Sequence, residues 1–174
     1  EPFANYTTTG GVKKQAKYRY CMRKKVTTVP DDDFSPLYRV IDALRAPTDD
    51  LYVARVSALA DIRSWAGYWV INRMCGNGDH YNSAGYPHNM YTYIPPYERS
   101  RLHVNDTDGA FRTAYSIFPD SGFLPGTMFA KPELRRVYWR LACDVARGPM
   151  DPALSTARLN DWYQAFRDNR LTAT

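Results

Sequence analysis

The sequence predicts an α+β domain, mostly helical, in which a small β-hairpin carries the functional residues. Three observations lead there. Apolar residues recur at helical spacing between Leu37 and Met74 and again between Leu134 and Phe166. Between those blocks, residues 89–94 and 101–105 read as two strands separated by a Pro95-Pro96 stop. Oxygen-bearing side chains, namely Asp79, Asn89, Asp106 and Asp108, fall in the Gly-rich loop before the hairpin and at the ends of its strands. Hard cations such as Mg²⁺ are bound through oxygen ligands of this kind.

A chain of 174 residues is one domain or a fragment of one. Its 44% hydrophobic and 14% aromatic content excludes a disordered chain. No apolar run is long enough to span a bilayer. Glu1 in place of an initiator Met suggests a cleaved N-terminus or a start inside a longer chain. The net charge is +5, and the basic residues crowd at Lys13, Lys14, Lys17, Arg19, Arg23, Lys24 and Lys25. Such a run attracts nucleic acid, anionic lipid or acidic protein, and it also suits a solvated strand face. It carries no nucleic-acid-binding motif, so nucleic acid is not the expected partner. Cys21, Cys75 and Cys143 have neither metal-site spacing nor an even count for a disulfide framework. Cys75 and Cys143 sit in apolar helical patterns and read as buried thiols.

In chain order, residues 1–16 read as an extended arm. Residues 17–23 alternate, with Tyr18, Tyr20 and Met22 on one side and Lys17, Arg19 and Arg23 on the other, as in a half-buried strand. Asp31, Asp32 and Asp33 mark a break. Ser35-Pro36 opens a helix whose stripe is Leu37, Val40, Ile41 and Leu44, and Pro47 ends it. Asp49 or Asp50 caps a short helix carrying Leu51, Val53, Val56 and Leu59. Asp61 caps the strongest helix, with Ile62, Trp65, Ala66, Trp69, Val70 and Met74 on one side and Tyr68 and Ile71 on the other. Apolar on both sides, it should be central and buried. Gly76 ends it and delivers Asp79 into the following loop. Tyr91 and Tyr93 should pack on the hairpin. Residues 109–131 read as a long irregular loop. Leu134, Val137, Tyr138, Leu141 and Val145 mark another helix, and Gly148-Pro149 closes it. Leu154, Leu159, Trp162, Tyr163 and Phe166 mark the last one, before a polar tail at 172–174.

In kinase-like folds a catalytic Asp follows a buried helix, then come an Asn, a hairpin and a metal-binding Asp. That order is present in Asp79, Asn89, Asp106 and Asp108, although the Asp79-to-Asn89 spacing is longer than in protein kinases. A closer match lies in Asp42-Ala43-Leu44, Gly76-Asn77-Gly78-Asp79, Asn89-Met90-Tyr91-Thr92-Tyr93, Asp106-Thr107-Asp108-Gly109-Ala110-Phe111 and Pro132-Glu133-Leu134-Arg135. With these motifs the chain resembles the spore-coat CotH-type kinase family, an atypical branch of the protein-kinase-like fold. Val104-Asn105 stand where members of that family usually carry Pro-Trp.

The resemblance implies a kinase-like C-lobe over residues 17–171, with the N-lobe largely absent. It implies Asp79 as the catalytic-loop Asp, Asn89 as a metal ligand, and Asp106 with Asp108 as metal-binding acids whose ranking stays open. It further implies ATP and Mg²⁺ (or Mn²⁺) as cofactors, phosphoryl transfer to a Ser/Thr-type hydroxyl, and a secreted or cell- or spore-surface location. Expected partners are a protein substrate, an assembly partner or an upstream segment of the same precursor. An apolar surface around Tyr18, Tyr20 and Met22 would face that missing lobe. Two alternatives accompany this reading. One is a catalytically inactive coat or assembly protein on a truncated kinase fold. The other is a Zn²⁺ or Mn²⁺ hydrolase using His80, His88 and His103, which lack HExxH-type spacing.

Overall fold

Helix α4 (Ile62–Met74) runs through the centre of the molecule because both of its sides are apolar. Trp65, Ala66, Tyr68, Trp69 and Val70 are all buried. This computed structural model describes residues 2–25, 30, 33–81, 89–95, 97–111, 116–118 and 122–169. The other helices are α1 (Gln15–Cys21), α2 (Ser35–Ala43), α3 (Asp49–Leu59), α5 (Phe123–Phe129), α6 (Pro132–Ala146) and α7 (Pro152–Asp168). Among the described residues the one sheet is an antiparallel hairpin of β1 (Met90–Tyr93) and β2 (Arg101–Val104). Asp31, Asp32, His88, Pro96 and the 172–174 tail lie outside the described residues.

The central helix packs against α6 on one side and β2 on the other. Trp69, Phe129 and Tyr138 form the aromatic seam toward α5 and α6, with ring centroids 5.6 Å and 4.8 Å apart. Toward β2, buried Ser100 fixes the strand. Its N–H donates to the Leu59 carbonyl (2.7 Å), and its own carbonyl accepts from Asp61 N (2.9 Å) and Trp65 Nε1 (3.0 Å). Asp61 caps α4 as expected, its Oδ1 accepting from Ser64 N at 3.0 Å. Gly76 adopts φ 61°, the left-handed residue that commonly follows a helix. α2 buries its stripe of Leu37, Val40 and Ile41, followed by Leu44, against α3.

Several expectations are corrected. Residues 17–23 do not form a strand. Tyr18 lies on α1, and an alternating pattern also places Tyr18 and Met22 four apart on one helical face. Tyr18 is fully buried, its hydroxyl donating to Ala4 O (3.0 Å) and accepting from Tyr6 N (2.8 Å), whereas Tyr20 points to solvent. The arm itself therefore covers the apolar surface at Tyr18. That arm is not free-standing, since Phe3 is buried against Trp65 and Tyr81. Thr48, not Asp49 or Asp50, caps α3, its Oγ1 accepting from Leu51 N. Leu51 is exposed, and Tyr52 shares the buried face with Val56. Residues 109–131 contain α5, whose Leu124, Met128 and Phe129 join the core. Tyr91 and Tyr93 are about half exposed on the outer hairpin face. Cys143 is exposed on α6, because the buried stripe runs through Leu134, Tyr138, Leu141, Ala142 and Val145 instead. No residue of α7 is buried, and Leu154, Leu159, Trp162, Tyr163 and Phe166 are each more than half exposed.

Candidate active site

The loop after α4 is built on a chain of buried amides. Asn72, in the last turn of the helix, donates from Nδ2 to Tyr68 O at 2.7 Å. Its Oδ1 accepts from Asn77 Nδ2 at 2.8 Å, and its carbonyl accepts from Asn77 N at 2.9 Å. Asn77 Oδ1 then accepts from Asp79 N at 3.1 Å, closing a tight Asx-type turn. Asn72 and Asn77 are both buried, so their amides are oriented by partners rather than by water. The result is a rigid base under an exposed Asp79 carboxylate.

The hairpin brings Asn89 to that carboxylate. Asn89 Nδ2 donates to Asp79 O (2.7 Å) and to Asp79 Oδ2 (3.0 Å). Tyr68 links the two sides of the loop, its hydroxyl donating to Asn89 O and accepting from Tyr81 N, both at 2.8 Å. Burial holds the Tyr68 hydroxyl protonated, well above its ordinary range. Antiparallel pairing of Met90 with Val104 puts Asn89 and the segment after β2 at the same end of the hairpin.

That segment, from Asp106 to Phe111, turns back onto the loop. Phe111 N donates to Cys75 O at 2.6 Å. Gly109 lies so close that a Cβ there would stand 2.9 Å from Asn77 Oδ1 and 3.3 Å from Asp79 Cβ. Asn89, Asp106 and Phe111 have φ of 55°, 54° and 61°, and they are the three non-glycine residues with positive φ among those described. Asn and Asp visit this region at modest cost, whereas Phe does not, so strain is stored where the turn meets the loop.

The four predicted site residues fall as follows. Asp79 and Asn89 are hydrogen-bonded to each other. Asp106 and Asp108 lie on the adjoining turn, exposed, with neither carboxylate in a hydrogen bond or ion pair among the described residues. Among the described residues, no group of three His, Cys, Asp or Glu side chains is close enough to hold a metal ion. The histidines do not assemble a site either. His80 is buried with its ring against Tyr68, His103 is exposed on β2, and His88 lies outside the described residues. The His80 Nδ1–H donates to Tyr81 O at 3.0 Å, and burial pushes its pKa down to about 4. Tyr68, Asn72 and Gly109 were not singled out as site residues from sequence. The available signal was Asn72, a polar residue inside an otherwise buried helix, where a side-chain amide needs a named partner.

Fold and site together define a helical α+β domain that offers one carboxylate on a braced loop, beside a strained turn bearing two more. The family model described as CotH kinase protein matches residues 3–170, nearly the whole chain, and the chain belongs to that family. No curated protein and no solved structure matches it.

Proposed function

We propose that this chain carries a kinase-like site for ATP- and Mg²⁺-dependent (or Mn²⁺-dependent) phosphoryl transfer to a Ser/Thr-type hydroxyl of a protein. The observation that carries this reading is the double hydrogen bond from Asn89 to Asp79, made in a member of a kinase family. Asp79 orients the acceptor hydroxyl and takes its proton. The hydroxyl oxygen bonds to the γ-phosphorus, the bond to the β,γ-bridging oxygen breaks, and ADP leaves. Asn89 keeps the Asp79 carboxylate in one orientation and turns its own amide oxygen away from it.

The donor set suits a hard cation. Asn89 offers an amide oxygen, and Asp106 and Asp108 offer carboxylates with no hydrogen bond or ion pair among the described residues. Mg²⁺ commonly binds through one or two carboxylates plus substrate phosphates, so a three-carboxylate cage is not required. When bound, the cation neutralises charge developing on the phosphates. The reading is tested by incubating the protein with ATP, Mg²⁺ and Ser/Thr-containing protein and mapping phosphopeptides by mass spectrometry. Wild-type protein should modify itself or its substrate, and Asp79→Asn should not. Equal incorporation by both proteins would remove Asp79 from the mechanism.

A second reading, an inactive coat or surface assembly component, is favoured by α7, whose five large apolar side chains face solvent. Under it, calorimetry with ATP–Mg²⁺ would detect no binding, and no phosphopeptide would form.

A further inference from the structure

The fold leaves a continuous apolar stripe uncovered on α7. None of that helix's residues is buried, and Ser155 alone is half-buried. At the helical step of about 100° per residue, Leu159, Trp162, Tyr163 and Phe166 share one arc of about 100°, and Leu154 stands outside it. Each of the four is more than half exposed. The Arg167 guanidinium lies 5.9 Å from the Tyr163 centroid, at the border of the stripe. Arg158, Asp161, Arg167 and Asp168 leave the helix with no net charge. Its start is firmly set by Asp151, whose Oδ1 accepts from Ala153 N at 2.9 Å and Leu154 N at 3.3 Å. A capped amphipathic helix draws most of its stability from packing of its apolar face. The other large exposed apolar side chains among the described residues are scattered. They stand singly on the arm, α1, α3 and the turns, or as the pair Tyr91 and Tyr93 on the hairpin.

We propose that the α7 stripe is the contact surface of a homodimer, packed against the α7 stripe of a second copy of this chain. The area carries the assignment. A buried aromatic side chain covers about 150–250 Å², so just over half exposure leaves roughly 100 Å² on each of Trp162, Tyr163 and Phe166. With Leu159 the stripe offers roughly 400 Å² per copy, within the size at which an exposed patch marks an interaction site. Two stripes and the polar rims beside them bury on the order of 1,200 Å², the lower end of the range for specific interfaces. The contact needs an opposing apolar face of similar length, and among the described residues α7 is the element that presents one. The same patch on both subunits makes an isologous two-fold contact, which closes at two chains. With no net charge, two copies of the helix meet without mutual repulsion. A bilayer surface is less well served, because interfacial helices carry a Lys/Arg-rich polar face and α7 sets two arginines against two aspartates. The proposal does not depend on phosphoryl transfer: it holds for an active kinase and for an inactive surface component alike.

Sedimentation equilibrium of the whole chain, from about 1 to about 100 μM, makes the measurement. The mass should rise from that of one chain to that of two and stop there. Trp162→Glu and Leu159→Glu each place a charge in the stripe and should weaken pairing about tenfold or more. Both should keep the wild-type circular dichroism, because the replaced side chains are exposed. Gln164→Glu adds the same charge on the opposite side of the helix and should leave the dissociation constant within about twofold. Hydrogen exchange of the wild-type protein needs no substitution and guards against a variant that fails to fold. Protection should rise with protein concentration chiefly in α7. The proposal is overturned by a single-chain mass throughout, by growth beyond two chains, or by equal weakening in Gln164→Glu. It is equally overturned if rising concentration protects α7 no more than the rest of the chain, or if phosphatidylserine vesicles take up the protein in preference to pairing.

Discussion

The Asn89 side chain donates to both the main-chain carbonyl and the carboxylate of Asp79, at 2.7 Å and 3.0 Å, across ten residues of sequence. An exposed carboxylate rarely has its orientation set this firmly. Removing the carboxylate should therefore affect chemistry far more than folding. Asp79→Asn is expected to lower phosphoryl-transfer turnover about 10²- to 10⁴-fold, the usual contribution of a positioned acid–base group. Its unfolding midpoint should stay near that of wild type. A large drop in the midpoint would show that Asp79 is a structural part of the turn.

Asn89→Ala separates orientation from strain. It loses both hydrogen bonds to Asp79 and places Ala at φ 55°, which costs about 1 kcal/mol. Asn89→Gly loses the same hydrogen bonds without that backbone cost. Turnover should fall similarly in both variants, while only the Ala variant loses the full increment of stability. If the Gly variant keeps wild-type turnover, the side-chain amide does not position Asp79.

Gly109→Ala tests whether the Asp106–Phe111 turn must lie directly on the loop. A methyl group there meets Asn77 Oδ1 and Asp79 Cβ, both fixed by the buried amide chain, so the turn has to lift. Overpacking of this kind costs about 1–3 kcal/mol. The larger effect should be on turnover and on Mn²⁺ affinity, read by calorimetry, because Asp106 and Asp108 ride on the displaced turn. Loss of stability with unchanged metal affinity would count against a metal-binding role for the turn.

Much of the scaffold was legible because its pattern is local. The stripes of α2, α4 and α6 repeat at helical spacing, and the Asp61 cap and Gly76 stop sit where helix-end chemistry requires them. Asp79, Asn89, Asp106 and Asp108 stand out in the sequence by the order of oxygen-bearing residues around the hairpin and by the motifs shared with the family. What could not be read depends on partners distant in sequence. Alternation over residues 17–23 reads as a strand, and only the arm that buries Tyr18 distinguishes it from the helix that forms. The roles of Tyr68 and Gly109 arise only when helix, loop and turn meet. The exposure of α7 depends on the absence of a packed neighbour among the described residues, which its amphipathic sequence cannot convey.

Buried His80 makes the fold less stable in acid. Its pKa lies near 4 in the folded protein, below the ordinary value of 6.5, so the folded state binds fewer protons between those limits. Stability is then constant above about pH 6.5 and falls as pH drops toward about 4, by on the order of 3 kcal/mol from this residue. Urea unfolding of wild type and His80→Gln at a series of pH values isolates the contribution. The variant should lack the slope between about pH 6.5 and 4 that wild type shows. Identical slopes would mean that exposed carboxylates, not His80, set the acid limit.

Tyr68→Phe removes one hydroxyl from the middle of the loop. Tyr81 N–H is buried and donates to that hydroxyl, and Asn89 O accepts from it, so the change strands a buried donor as well as freeing Asn89. Leaving a buried donor unpaired costs about 1–3 kcal/mol. For a domain of this size that corresponds to a fall in Tm of roughly 2–4 °C per kcal/mol. The informative comparison is with Tyr52→Phe. The Tyr52 hydroxyl is also buried but has no hydrogen-bond partner among the described residues, so its loss should be neutral or slightly stabilising. Turnover should separate the two further. Tyr68→Phe lets Asn89 drift from Asp79 and should lower turnover beyond its effect on stability, whereas Tyr52→Phe should leave turnover unchanged. Equal effects of the two substitutions on both stability and turnover would show that the Tyr68 hydroxyl does not brace the loop.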